Sequence, residues 1–183
     1  MNRIICKDAL AALRELPDGC VNLCVTSPPY YGLRDYGVDG QIGTEESPQA
    51  YICRLVEVFR EVRRVLTDDG TLWLNIADSY AGSGKGIWKW ATEKTDCKNN
   101  YRADTTAAIH RMPVVWDGIK AKDMIGIPWM LAFALRERGW YLRSDIIWYK
   151  KNCLPESAKD RPTKTYEHIF LLAKSRQYYF DYK

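Results

Sequence analysis

The sequence predicts an α/β fold with a mainly parallel sheet that ends in an antiparallel strand pair. Three observations carry that expectation. Short apolar runs of strand length alternate with longer stretches of helical period. Two of those runs, VNLCV and TLWLNI, contain no charged residue, as fully buried strands do. The last two strand-like segments, Trp140–Tyr149 and Tyr166–Ala173, are joined by a Pro- and Lys-rich stretch with no helical pattern, which suits antiparallel pairing.

Each element has its own reason. Arg3–Ile5 is expected as a short opening strand. A helix over Asp8–Leu16 follows, with Asp8 as N-cap and Leu10, Leu13 and Leu16 at helical spacing. Pro17-Asp18-Gly19 turns the chain into strand Val21–Val25. That strand runs into Ser27-Pro28-Pro29-Tyr30, where two prolines cannot donate hydrogen bonds and hold φ near −65°. The corner is therefore stiff and extended, and it presents a hydroxyl, two carbonyls and an aromatic ring at the carboxyl end of a strand. Ligands bind at that end in open α/β sheets.

Tyr31–Glu46, with five charged residues and four glycines, reads as a loop. Pro48–Leu66 is an amphipathic helix whose apolar side runs Tyr51, Leu55, Phe59, Val62 and Leu66. Asp68-Asp69-Gly70 turns into strand Thr71–Ile76. Residues 79–122, rich in Gly, Lys, Asn and Thr, read as a flexible insertion in a single domain spanning residues 1–183. Helix Pro128–Arg138, stopped by Gly139, precedes the terminal strands.

Composition narrows the function. No run approaches the roughly 20 apolar residues of a membrane span, and MNRIICKDAL lacks the hydrophobic stretch of a secretory signal. Six cysteines without a C-x-x-C pair are expected as buried thiols in a reducing cytoplasm, and with two histidines no metal site is expected. The net charge of +4 is unevenly spread: Met1–Gly84 holds 8 basic and 12 acidic residues, Lys85–Lys122 holds 8 and 4, and Asp123–Lys183 holds 11 and 7. In the second half the basic residues are interleaved with Trp88, Trp90, Tyr101, Trp116, Trp140, Trp148 and Tyr149. Such a mixture suits nucleic acid, with cations on phosphates and rings on bases, and it equally describes a solvated basic surface.

TSPPY after a buried strand, GTLWLNIAD, and GWYLRSDIIWYKKNCLPES…RPTKTYEHIFLLAKS together resemble the DNA amino-methyltransferases, over nearly the whole chain. The resemblance implies a Rossmann-like sheet and methyl transfer from S-adenosylmethionine to an exocyclic nitrogen of a base flipped out of double-stranded DNA. It assigns the catalytic corner to Ser27, Pro28, Pro29 and Tyr30. Ser27 Oγ and the Pro28 carbonyl would accept from the amine, Pro29 would keep the turn rigid, and Tyr30 would stack on the base. Ser at the first position more often accompanies N4-cytosine enzymes, and Asp or Asn N6-adenine enzymes; adenine is the alternative. A non-catalytic nucleic-acid-binding fragment is the alternative from another class.

Asp8 matches an acidic residue near the donor's adenosine in that family, although Lys7 stands where relatives commonly have Gly. Trp148, Lys150 and Asn152 match the family's W-x-K-x-N segment beside the base pocket, and Arg34 and Asp35 could reach DNA or pair on the surface. Asn75 and Asp78 end the second strand on the ligand side, with a local turn role as the other reading, and Glu167 reads as a strand-end surface charge. The family's aromatic-Gly-x-Gly donor loop is not in this sequence. The glycine-rich Gly82–Gly86 is not a Walker A loop, because Ser79 and Gly86 occupy two of its required positions. The expectation is an incomplete methyltransferase fold holding the catalytic half. The donor-binding half would then be cut off by truncation, supplied by a second polypeptide, or lost in a degraded gene remnant.

Overall fold

The computed structural model describes residues 4–81 and 118–182. In chain order it contains α1 (Ala9–Arg14), β1 (Val21–Thr26), α2 (Pro48–Val65), β2 (Leu66–Ile76), α3 (Ile127–Glu137), β3 (Tyr141–Tyr149) and β4 (Tyr166–Ala173). The strands form one sheet in the order β1-β2-β4-β3. β1 and β2 are parallel, while β4 is antiparallel to both β2 and β3. Three strands thus run one way and β4 alone runs against them, which is the mainly parallel sheet with an antiparallel pair.

The chain divides into two compact units. Unit 1 comprises Met1–Pro28, Ile52–Ala77 and Pro128–Lys183; unit 2 comprises Pro29–Tyr51 and Asp78–Ile127. The sheet and its core belong to unit 1. Leu72, Leu74 and Ile76 of β2 are fully buried, as are Phe170 and Leu172 of β4 and Leu131, Ala132 and Leu135 of α3. Each large aliphatic or aromatic side chain so buried contributes on the order of 1.5–3 kcal/mol. Trp129 of α3 sets its ring edge-on to Phe170 at 5.2 Å and to His168 at 5.8 Å, which fixes α3 over that face of β4.

α1 forms as its cap requires, with the Asp8 carboxylate accepting from the Ala11 amide at 3.0 Å. Its carboxyl end is held by Arg64 of α2, whose guanidinium donates to the Leu13 and Leu16 carbonyls at 2.8 and 2.9 Å.

Five expectations need correction. β1, expected as a fully buried strand, is an edge strand among the described residues and has no buried residue, with Leu23 50% and Val25 72% exposed. Ile4 and Ile5 are in no strand, and Ile4 is 97% exposed; among the described residues β1 pairs only with β2. β2 starts at Leu66, immediately after α2, because the Asp68-Asp69-Gly70 turn is a bulge inside the ladder. Val21 pairs with Leu66 and Leu23 already with Thr71. The chain beyond β4 closes that bulge: Lys174 Nζ donates to the Leu66 carbonyl at 2.6 Å and Ser175 Oγ to the Asp68 carbonyl at 2.6 Å. Cys6, Cys20 and Cys53 are exposed thiols rather than buried ones; Cys53 lies on the outer side of α2. Trp140 is core, not a stacking surface.

Candidate functional site

In unit 1 the carboxyl end of β1 delivers Ser27, which is exposed, and Pro28, which is half-buried. Both proline peptide bonds are trans. Among the described residues no donor meets the Pro28 carbonyl.

In unit 2 the chain continues as Pro29 and Tyr30, both half-buried. Here the backbone is held from several sides. The Tyr51 hydroxyl donates to the Pro29 carbonyl at 2.8 Å, and the Leu33 amide donates to the Tyr30 carbonyl at 3.3 Å. Gly43, at φ +103°, is buried against the same stretch, so that a β-carbon there would lie 3.0 Å from the Tyr30 carbonyl oxygen. Its own carbonyl accepts from the Gly32 amide at 2.8 Å, closing the loop.

Tyr51 is itself firmly placed. Ser47 Oγ accepts from the Ala50 amide at 3.1 Å as the N-cap of α2, Pro48 takes the first helical position, and Tyr51 sits in the first turn. Its ring lies 5.3 Å from that of Tyr31, and both rings are buried. Burial, and then the nearby Glu45 carboxylate, push both phenols well above the ordinary range, so both remain protonated.

Also within unit 2, Asp78 serves the backbone. Its carboxylate accepts from the amides of Ser79, Gly126 and Ile127, each between 2.9 and 3.0 Å. Tyr80 and Met124 form an antiparallel bridge close by, flanked by bonds from Ala81 to Asp123 and from Lys122 to Ala81 at 2.9 and 2.8 Å. The described ends 78–81 and 122–127 are thus zipped together. Asp35 likewise closes a local turn, accepting from the Gly37 amide at 2.7 Å, while Arg34 is exposed on the same loop.

The carboxyl end of β3, in unit 1, carries the second group. Lys150 Nζ lies 5.1 Å from the Trp148 ring centroid and forms an ion pair with Glu167. Glu167 is 9% exposed, so it is a buried partner and not a surface charge; the cross-strand register sets it directly opposite Trp148. Asn152 is exposed. Asn75 ties β2 to β4 through the His168 carbonyl at 3.2 Å. Sequence reasoning missed the neighbouring pair of His168 Nδ1 and Asp145 Oδ1 at 2.9 Å, because only the β3–β4 register brings them together. β2 and β4 lie between β1 and β3, so the ends carrying Ser27 and Trp148 are three strand spacings apart, about 14 Å.

Asp8 is spent on the α1 cap and is exposed. Gly82–Gly86, His110, Cys97, Trp88, Trp90, Tyr101 and Trp116 lie outside the described residues. Among those described, no group of three or more His, Cys, Asp or Glu is placed to hold a metal ion, and no helix is long and apolar enough to cross a membrane.

Residues 21–183 match the N6/N4 DNA methylase family model. The chain is 54% identical over 176 residues to the Type II methyltransferase M.Cfr9I of Citrobacter freundii, covering 96% of this chain and 55% of that protein. It is 52% identical over 181 residues to M.SmaI of Serratia marcescens, covering 99% and 59%. It therefore spans somewhat more than half the length of these curated relatives. Among solved structures it is similar to the cytosine-N4-specific PvuII DNA methyltransferase, with a TM-score of 0.59 at 14% identity over 94% of this chain and 49% of that one. A putative DNA modification methylase from Thermus thermophilus, solved with S-adenosyl-L-methionine, gives 0.57 at 22% identity over 95% and 56%. At these identities the two structures establish the fold.

Proposed function

The chain belongs to the N6/N4 DNA methylase family, and from that premise we propose that it is the amine-presenting part of a site-specific N4-cytosine DNA methyltransferase. The observation that carries the proposal is the division of labour between two adjacent carbonyls. That of Pro29 is occupied by the Tyr51 hydroxyl, whereas that of Pro28, beside the exposed Ser27, has no donor among the described residues.

An arylamine lone pair is delocalised into its ring and is a poor nucleophile. If its two N–H groups donate to Ser27 Oγ and the Pro28 carbonyl, the nitrogen is drawn toward a pyramidal shape with its lone pair aimed away from the ring. This is catalysis by orientation and by fixed dipoles, and it requires no strong general base. Tyr30 stacks on the extruded base. The choice of cytosine rests on Ser27 occupying the motif's first position. S-adenosylmethionine as donor and double-stranded DNA as acceptor complete the proposal, and the Type II designation of the relatives supports site-specific modification.

The test uses the protein as its gene encodes it, unmethylated phage DNA and tritiated S-adenosylmethionine, followed by digestion and mass analysis of the nucleosides. N4-methylcytosine is expected. N6-methyladenine moves the substrate to adenine, and DNA binding without label in either base leaves a binding module.

A further inference from the structure

We infer that Tyr51 is a positioning residue: its hydroxyl, held on the Pro29 carbonyl, sets the direction of the Tyr30 ring. The inference rests on the reading just given and concerns the same site.

The argument starts from proline geometry. The pyrrolidine ring fixes φ of Pro29, and Pro29 has no N–H through which a backbone bond could hold it. One soft backbone angle at Pro29, ψ, therefore sets the peptide plane that leads into Tyr30 and from which the Tyr30 side chain departs. That angle is read out by the direction of the Pro29 carbonyl, and the carbonyl is taken by the Tyr51 hydroxyl at 2.8 Å. The anchor is rigid for reasons independent of the corner. Tyr51 is fully buried, sits in the first turn of a helix capped by Ser47 and begun by Pro48, and packs against the buried ring of Tyr31. Burial keeps the phenol protonated and hence a donor. On the next residue the Leu33 amide holds the Tyr30 carbonyl, with Gly43 packed against that oxygen at a distance that leaves no comfortable room for a β-carbon. A second consequence follows. With the Pro29 carbonyl occupied, an incoming amine finds the Pro28 carbonyl without competition from its neighbour.

Tyr51→Phe tests this, since it keeps the ring and removes the hydroxyl. In the protein as encoded, single-turnover methyl transfer is expected to fall about 10- to 100-fold, with KM for DNA and donor within about twofold, the scale of a misoriented reactant. In a Tyr30→Ala background the same substitution is expected to add nothing, because Tyr51 acts through Tyr30. Fluorotyrosine placed at position 30 gives a readout free of activity: one ¹⁹F resonance in the parent, shifted and broadened by Tyr51→Phe. Undiminished transfer with an unmoved resonance overturns the inference. So does a full additive loss in the Tyr30→Ala background. A parent protein that transfers no methyl group overturns the functional reading instead, and the ¹⁹F line then decides the positioning by itself.

Discussion

The carboxyl ends of β1 and β3 both carry candidate residues, and they are made of different materials. The end of β1 is backbone, a hydroxyl and rings: Ser27, two proline carbonyls and Tyr30, with one carbonyl secured by a protonated phenol. The end of β3 is charge: Lys150 and Glu167 paired beside Trp148, with His168 and Asp145 adjoining. The difference teaches which of the two is suited to chemistry on a neutral amine. Fixed dipoles need no proton inventory and keep their orientation across a wide pH range. An ion pair with a partly exposed lysine answers to salt and holds structure or meets phosphate.

The largest expected effect separates the two directly. Ser27→Ala should lower methyl transfer by about 10²–10³-fold, the scale of losing one preorganised hydrogen-bond partner, while DNA affinity measured by anisotropy stays within about twofold. Lys150→Met should cost transfer less than about tenfold, weaken DNA binding at low salt and make its salt dependence shallower. If the lysine variant lost more catalytic rate than the serine variant, the assignment of roles to the two ends would be reversed.

Glu167→Gln comes next. It leaves the Lys150 ammonium without its carboxylate, with an expected loss of about 1–2 kcal/mol in urea unfolding. The lower end is expected because the lysine side chain is 37% exposed and water screens it. Adding Lys150→Met should restore part of that loss, and an additive double variant would show that the pair is not coupled.

The smallest effect is the pH dependence of the first region. Below the ordinary phenol pKa of about 10, Tyr31 and Tyr51 are protonated in both folded and unfolded chains and contribute no slope. Above it the unfolded chain releases protons that the folded chain keeps, so stability falls as pH rises. Melts between about pH 8 and 11 should show this decline, and Tyr51→Phe should make it shallower. An unchanged slope would mean that the phenol is not desolvated as its burial implies.

Much of this was legible in the sequence because it is local. The periodicity of Tyr51, Leu55, Phe59 and Val62 marked α2 to within a residue, and Gly139 marked the stop after α3. The uncharged runs marked where β1 and β2 lie, but the burial they implied holds only for β2, since Leu23 and Val25 of β1 are largely exposed. What was not legible depends on partners far along the chain. Glu167 looks solvated until β4 is laid beside β3 and Lys150 arrives from 17 residues away. The early start of β2 depends on Lys174 and Ser175 closing a bulge from more than 100 residues downstream. In the candidate site, Ser27–Tyr30 could be read from its own stiffness. Tyr51 could not, because its apolar spacing explained it completely as core, and nothing in the spacing of a helix announces that a hydroxyl 22 residues on reaches a proline.

The Tyr80–Met124 bridge and the Asp78 carboxylate join the two described ends of the stretch that runs from Ala81 to Lys122. Its two ends are stitched by main-chain bonds and by one carboxylate, and closing a longer or shorter ring costs only about 0.6 kcal/mol per doubling of length. A change of length between those ends is expected to leave the Tyr80–Met124 bridge in place, which amide exchange at Ala81 and Lys122 would check.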